Sequence, residues 1–389
     1  MKFFQAYTLN NAAKYVMLLS CVVLASCTQF LVGEGEGLLD QGIRSGAFKH
    51  RIYVATTREF SKDQAEFFSG ERSNDLTMAH VDVTIPPNHQ PGNIEKPRSG
   101  KTDPTRHFAV AKPRVYDTIA NFVGNLDTSL DTRDPVNRDI LVFIHGYNVD
   151  FSSAVLRISQ FVHDTGFTGV PVLFSWASRG STLDYVYDIN SALQARDNLV
   201  KLSFVLGQTK ANKFDVVAHS MGNLVTIEAM RQLAKTGNLE DTSRLRRVVM
   251  ASPDIDVDLF RTQLEDLKQV KDRFYILVSD DDRALTVSTV IAGGISRVGV
   301  AEPEKLATLG LNVIDLSQID DSGTTHHSKF AESPDIVRLI GESINQGNTL
   351  SARNENSADI AGELIRGVVE IPASVVGGTA GLIIQLGNQ

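Results

Sequence analysis

Short apolar runs alternate with amphipathic stretches along most of the chain from residue 115 onward. Six of the runs predict strands, and several of these are nearly continuous in apolar residues, which is typical of strands buried on both faces of a parallel sheet. They cover residues 140–144, 170–175, 214–218, 245–251, 274–279 and 311–316. The stretches between them carry apolar residues at helical spacing, most clearly in 152–164, 192–206, 223–234 and 256–270. Two earlier segments, 50–58 and 81–85, also predict strands.

The alternation of strands and helices predicts an α/β protein with a mostly parallel central sheet of about eight strands and helices on both faces. We expect this domain to cover 49–346, followed by an apolar, Gly-rich C-terminal appendage at 347–389. Residues 86–106 hold five prolines and predict a long loop. In sheets of this kind the chemistry collects at the carboxyl ends of the strands, so those ends are the place to look for a site.

Composition and charge narrow the class of protein further. The chain has 389 residues, of which 42% are hydrophobic and 22% charged, and these fractions are typical of a globular protein. Its net charge is −8, which excludes the basic surface expected of a nucleic-acid binder. The two cysteines, Cys21 and Cys27, both lie near the N-terminus. The body of the chain therefore has neither a disulfide framework nor a cysteine metal site.

The first residues predict a targeting segment. Lys2 and Lys14 precede an apolar run at 15–25, which at eleven residues is too short to cross a bilayer as a helix but suits a secretory signal. The run ends in Leu-Ala-Ser-Cys, which resembles a bacterial lipobox and makes Cys27 the acylated first residue of the mature protein. An ordinary signal peptide with a chance cysteine is the alternative. We expect residues 1–26 to be the lipoprotein signal peptide.

Acylation at Cys27 predicts a protein anchored to a membrane of the bacterial cell envelope. Residues 27–48 are rich in Gly and predict a flexible tether between lipid and domain. Thr28 rather than Asp follows the cysteine, which by resemblance to enterobacterial lipoproteins favours the outer membrane or periplasmic face.

The end of the strand at 214–218 carries the clearest chemical signal. The sequence Ala-His-Ser-Met-Gly at 218–222 matches a nucleophile elbow, with Ser220 as the nucleophile. The turn is so tight that small residues are needed two before and two after the serine, and Ala218 and Gly222 meet this need. A serine in a plain strand–helix turn is the alternative. Between a buried strand and a helix, the pattern indicates a catalytic serine.

An elbow requires donors for an oxyanion. The first is the backbone N–H after the nucleophile, which belongs to Met221. The strand at 140–144 ends in His145, Gly146 and Tyr147, and the Tyr147 N–H is the expected second donor because Gly146 lets the backbone approach closely. We interpret His145 as structural, since the catalytic base of an elbow-containing chain comes last in sequence.

The acid should follow a strand after the elbow. The strand at 274–279 is followed by three carboxylates, Asp280, Asp281 and Asp282. Asp282 is the predicted acid, with Asp280 and Asp281 as the next candidates. One or two of the three carboxylates are expected to be solvated, and substitution of Asp280 or Asp281 by Asn is expected to have a mild effect. Asp254, one strand earlier, is the rival.

The base should follow the last strand, at 311–316. His326 and His327 are the only histidines after the elbow, and His327 is the predicted base, with His326 as the alternative. The order Ser220, Asp282, His327 fits a triad in which Asp orients the imidazole and His takes the serine proton.

Taken together, these segments resemble an uncharacterised family of bacterial α/β hydrolases, many of them envelope lipoproteins, known only as a domain of unknown function. The segments are TTR at 56–58, IPPNHQPGNIEKP at 85–97, FIHGYN at 143–148, FSWASRG at 174–180 with Tyr187 and Asp188 beyond it, AHSMGN at 218–223, SDDDRAL at 279–285 and HHSKF at 326–330.

The resemblance implies an α/β-hydrolase fold over about residues 50–335 and adds two details. In the family the acid precedes a pair like Arg283-Ala284, which favours Asp282, and the histidine lies before a serine and shortly before an aromatic residue, which favours His327. Ala177 departs from the family, where proline commonly follows the tryptophan. The family supplies no substrate.

The sequence thus predicts a serine hydrolase that cleaves a carboxylic ester of a small molecule or lipid. Acyl transfer or amide hydrolysis with the same triad is the second reading, and a non-catalytic interaction protein on a hydrolase scaffold is the third. No metal and no organic cofactor are expected, because the chain has no HExxH, no GxGxxG after a strand and no P-loop. The acyl group, the alcohol and the oligomeric state are left open.

Overall fold

The computed structural model describes residues 36–63, 66–97, 101–239, 242–321, 323–346, 368–369 and 383–385. The predicted signal peptide at 1–26, the predicted lipidation site Cys27 and most of the predicted C-terminal appendage lie outside the described residues. Among the described helices, none combines the length and the apolar character needed to span a membrane.

In the described part of the chain, twelve strands form one sheet. The long strands are β1 (Phe48–Phe60), β2 (Phe68–Ile85), β5 (Ile140–Ile144), β6 (Val170–Ser175), β7 (Phe214–His219), β8 (Leu245–Ala251), β9 (Phe274–Val278) and β10 (Asn312–Asp315). The short strands are β3 (Ala109–Val110), β4 (Arg114–Val115), β11 (Val368–Val369) and β12 (Ile383–Gln385). The order across the sheet is β11-β12-β10-β9-β8-β7-β5-β6-β1-β2-β3, with β4 also on β2.

The strand pairs in the middle of the sheet are all parallel, from β1 through β6, β5, β7, β8, β9 and β10 to β12. The antiparallel pairs lie at the two edges, where β2 pairs with β1 and β11 pairs with β12. The predicted mostly parallel sheet is therefore confirmed. Strand β2 starts at Phe68 instead of residue 81, because its first half is polar and pairs with the end of β1. The alternation of apolar and polar residues does not predict this first half of β2, because backbone hydrogen bonds to β1 hold it there rather than burial of apolar side chains.

Ten α-helices accompany these strands within the described residues. They are α1 (Glu36–Arg44), α2 (Ile119–Asp131), α3 (Phe151–Asp164), α4 (Tyr185–Gly207), α5 (Gly222–Lys235), α6 (Val257–Leu264), α7 (Arg283–Ile291), α8 (Pro303–Ala307), α9 (Lys329–Glu332) and α10 (Pro334–Gln346).

Helix α1 precedes the first strand, and the other nine lie between strands.

The helices cover both faces of the sheet, as predicted. Within β5, Leu141 and Phe143 belong to the core under α3, α9 and α10, whereas Ile140, Val142 and Ile144 belong to the core under α2, α4 and α5. This alternation is the period of two expected for a strand buried on both sides. A third core beneath α6 and α8 continues the second face under β8 and β9.

The element boundaries differ from the sequence prediction in two places. Helix α4 begins seven residues earlier than residue 192, because its first turns bury Tyr185 and Asp188 against the loops of the candidate site. Residues 36–44, predicted as part of the flexible tether at 27–48, form α1 instead. Leu39 of this helix is buried against Ala109 and Ala111, so the helix packs on the domain.

Candidate active site

The turn between β7 and α5 has the geometry of a nucleophile elbow. Ser220 has a φ of 52°, a left-handed conformation that a non-glycine residue adopts only when its surroundings hold it there. Its N–H donates to Ala251 O at 2.9 Å, and its carbonyl accepts from Asn223 N at 3.1 Å and Nδ2 at 3.0 Å. A Cβ on Gly222 would lie 2.4 Å from His145 O. The small residue two positions after Ser220 is therefore required by the contact with the end of β5.

The loop after β5 lies directly against this elbow. A Cβ on Gly146 would lie 2.8 Å from Ser220 Cβ and 3.0 Å from His219 Nδ1. The structure thus brings the two predicted oxyanion segments together. Within the described residues, neither the Met221 N–H nor the Tyr147 N–H donates a hydrogen bond to another group. Two such unused donors beside a serine are a chemically suitable place for a developing oxyanion.

Asp282 and His327 form a hydrogen-bonded pair. Asp282 is fully buried and caps α7, with Oδ1 accepting from Leu285 N at 2.9 Å. Its Oδ2 lies 2.7 Å from His327 Nδ1. A carboxylate is an acceptor, so Nδ1 carries the proton and Nε2 of His327 is left as a proton acceptor. The sequence-predicted acid and base therefore meet across 45 residues of chain.

The elbow and the predicted base, His327, are in contact through His219, the residue before the predicted nucleophile. His219 Nε2 donates to His327 O at 3.1 Å, and the two rings lie 4.6 Å apart. Burial and the neighbouring His327 hold the pKa of His219 well below its ordinary value, so its ring is neutral at pH 7. Ser220 Oγ itself makes no hydrogen bond to a described residue. Asp282 and His327 are thus hydrogen-bonded to each other. Ser220 is connected to this pair through its neighbour His219, which contacts His327.

The rival acid, Asp254, belongs to a different cluster. Its carboxylate accepts from Ser288 Oγ at 2.6 Å and Tyr185 OH at 3.1 Å, and it pairs with Arg297 Nε at 3.2 Å. These partners account for both carboxylate oxygens, and none of them is a histidine. Asp254 donates its backbone N–H to Ser220 O at 3.3 Å, so it lies behind the elbow.

The rival base, His326, has an acid of its own. Its Nδ1 lies 2.5 Å from Asp321 Oδ1, and its φ is 56°. His326 and His327 therefore contact separate carboxylates, and only His327 reaches Asp282.

His145 is buried and packs as a structural residue. Its ring stacks on Trp176 with centroids 5.1 Å apart and planes 12° apart. Burial, aided by the positive charge of Arg58, lowers the pKa of His145 to about 3. The neutral ring donates from Nδ1 to Gly146 O at 2.9 Å. It helps fix the loop that carries the second predicted oxyanion donor.

Two residues that support the site were not predicted as such from the sequence. Arg58 is fully buried and donates to Val149 O and Ser178 O, both at 2.7 Å, which ties the loops after β5 and β6 together. Asp188 is also fully buried and accepts from Asn148 N at 3.3 Å and Ser178 Oγ at 2.5 Å. Both residues lie in segments that resemble the family, which was the only signal that could have found them.

The described residues contain no group of three or more His, Cys, Asp or Glu side chains suited to a metal ion. The site offers a buried turn serine, a histidine–carboxylate pair and two backbone N–H groups that donate to no described residue.

The fold and the elbow define an α/β hydrolase. The chain belongs to the family described as alpha/beta hydrolase of unknown function (DUF900), whose model matches residues 122–343. No curated protein matches the chain.

Several solved structures are similar to this chain. An esterase from Pyrobaculum calidifontis is 11% identical, with 80% of this chain and 90% of that chain covered and a TM-score of 0.35. An esterase from Pseudomonas putida is 13% identical, with 80% and 86% covered and a TM-score of 0.33. The phospholipase PlaB from Legionella pneumophila is 15% identical, with 42% and 44% covered and a TM-score of 0.29.

Proposed function

We propose that this α/β hydrolase cleaves a carboxylic ester through an acyl-enzyme on Ser220. The observation that carries the proposal is the 2.7 Å hydrogen bond between Asp282 and His327, on a loop that packs against the elbow. It supports a histidine whose free Nε2 can accept the serine proton. Met221 and Tyr147 supply the backbone donors for the oxyanion in this proposal.

The proposed reaction follows from these positions. Ser220 Oγ attacks the ester carbon while His327 Nε2 accepts its proton, and the buried carboxylate of Asp282 stabilises the imidazolium that forms. The two backbone donors bind the negative oxygen of the tetrahedral intermediate. The imidazolium then protonates the leaving alcohol, and water attacks the acyl-enzyme by the same route in reverse. An amine or a second alcohol in place of water would give the acyl-transfer alternative.

The surface next to the acid favours an apolar acyl group. Residues 284–296 contain no charged side chain, and α7 begins directly after Asp282. Val290 is 65% exposed, Ile291 55% and Ile295 43%. An uncharged, aliphatic rim of this kind gains free energy by covering a hydrocarbon chain. A lipid ester is therefore a better fit than a small charged ester.

Labelling with a fluorophosphonate probe tests the catalytic claim. The wild type should be labelled, Ser220→Ala should not, and Ser203→Ala on the exposed face of α4 should behave as the wild type. A panel of p-nitrophenyl esters from acetate to palmitate then tests the substrate class, with a preference for the longer chains expected. Equal labelling of Ser220→Ala, or no labelling of a folded wild type, would support the non-catalytic reading instead.

We further propose that the protein is a lipoprotein of the bacterial cell envelope, acylated on Cys27. Cys27 and Glu36, the first residue of α1, are nine Cα–Cα steps apart (36 − 27), a length of chain that spans at most about 30 Å when extended. Mass spectrometry of the mature N-terminus tests this, with Cys27→Ser expected to lose the lipid and Cys21→Ser to retain it. Mature protein that carries no lipid on Cys27 and does not fractionate with membranes would contradict the proposal.

A further inference from the structure

Three consecutive residues of the acid loop (residues 281–283) each contact the base loop (residues 324–329). Asp281 pairs with Lys329, Asp282 with His327, and the Arg283 N–H donates to Thr325 O at 3.0 Å. The two loops therefore run alongside each other in opposite directions. The acid–base pair is the middle one of three contacts.

Asp281 and Lys329 form an ion pair in which the lysine is buried and the aspartate is partly exposed. The Lys329 side chain is only 1% exposed, and its Nζ lies 2.8 and 2.9 Å from the two Asp281 oxygens and 3.0 Å from Leu316 O. These three acceptors use all three protons of the ammonium. Asp281 is thus the counter-ion of a buried charge. The sequence predicts that one or two of the three aspartates are solvated, whereas Asp281 pairs with a buried ammonium group.

The pair also connects to the wall of the elbow. Lys329 begins α9, and the next residue, Phe330, packs its ring 4.9 Å from His219 and 6.3 Å from Phe143 of β5. Fixing Lys329 therefore fixes the segment that holds His327 beside the residue preceding Ser220.

We propose that the Asp281–Lys329 ion pair positions His327 for proton transfer from Ser220. The inference rests on the proposed function, and it makes Asp281 and Lys329 positioning residues that do not touch the substrate. His327 lies two residues before Lys329, so a base loop released from Asp281 can move its imidazole relative to the elbow. Rate is sensitive to such movement, since a misplacement of about 1 Å can cost about 100-fold.

The test compares Asp281→Asn with Asp280→Asn, which makes the same charge change on the exposed neighbouring residue. With a p-nitrophenyl ester, Asp281→Asn should lower kcat by about 10- to 100-fold and leave KM within about twofold. Asp280→Asn should stay near wild-type kcat. Asp281→Glu should recover most of the lost rate, because the Asp281 side chain is 38% exposed and leaves space for one more methylene.

A proton NMR measurement separates this proposal from the proposed function, because it needs no turnover. The downfield N–H resonance of His327, assigned by its loss in Asp282→Asn, should broaden in Asp281→Asn and remain sharp in Asp280→Asn. If the wild type cleaves no ester, the proposed function fails while this comparison still decides the role of Asp281.

Should Asp281→Asn fail to fold, the double variant Asp281→Asn/Lys329→Met removes both charges of the pair and can be used in its place. It should fold and show the same loss of kcat and the same broadening. Wild-type kcat and a sharp His327 resonance in whichever variant folds would overturn the proposal, even if that variant unfolds at lower urea.

Discussion

Gly222 is the residue where the elbow leaves the least space, and Gly222→Ala is our sharpest prediction. A Cβ at this position would lie 2.4 Å from His145 O and 2.7 Å from Ile144 O. Real Cβ contacts essentially never fall below 3.0 Å, so one backbone must move by at least 0.6 Å (3.0 − 2.4). Both obstacles are main-chain oxygens at the end of β5, so no side chain can rotate away to relieve the contact.

This movement separates the two predicted oxyanion donors, because Met221 precedes Gly222 on α5 and Tyr147 follows the end of β5. From the cost of a misplacement of about 1 Å, a shift of this size should lower kcat by about 10- to 100-fold. Overpacking of the backbone should also lower the free energy of unfolding by about 1–3 kcal/mol.

Ester hydrolysis rates and urea unfolding followed by circular dichroism measure the two effects separately. Gly124→Ala is the matched control, since it lies inside α2 with no atom within 4 Å of the added Cβ. It should raise the free energy of unfolding by about 0.4–1 kcal/mol and leave turnover unchanged. Wild-type stability and turnover in Gly222→Ala would refute the steric reasoning. Lower stability with full turnover would refute the oxyanion part alone.

Other substitutions test the remaining assignments. Ser220→Ala and His327→Ala should each lower kcat by about 10⁴- to 10⁶-fold, with the double variant little worse in steady-state kinetics, and additive losses would show that the two do not act together. Asp282→Asn should lower kcat by about 10⁴-fold, whereas Asp254→Asn should mainly lower the urea midpoint, and the reverse ranking would make Asp254 the acid. Burial would raise the pKa of Asp281, but hydrogen bonds to its ammonium partner outweigh it and lower this pKa. A carboxyl whose pKa is lowered by folding contributes stability above its unfolded pKa, and this contribution is lost as pH falls. From about pH 5 to about pH 3 the free energy of unfolding should therefore fall more in the wild type than in Asp281→Asn. Equal losses in the two proteins would contradict this.

Much of the fold follows from local patterns in the sequence. The strands from β5 to β10 were predicted within a few residues, because each is an apolar run whose neighbours in the chain are polar turns or amphipathic helices. The elbow was visible for the same reason, since Ala218, Ser220 and Gly222 stand within five residues of one another. The start of β2 and helix α1 were missed, because polar strand pairing and the packing of Leu39 depend on partners elsewhere in the chain.

Which of the acids and histidines lie next to each other is decided by the tertiary structure. Three adjacent aspartates and the rival Asp254 are alike in sequence, yet Asp282 meets His327, Asp281 meets Lys329 and Asp254 meets Arg297. Each of these contacts joins residues 43 to 48 positions apart. The sequence supplied the residue types and their order along the chain. Which pairs meet depends on how the ends of β8, β9 and β10 lie side by side, because hydrogen bonds and ion pairs act only over a few ångströms.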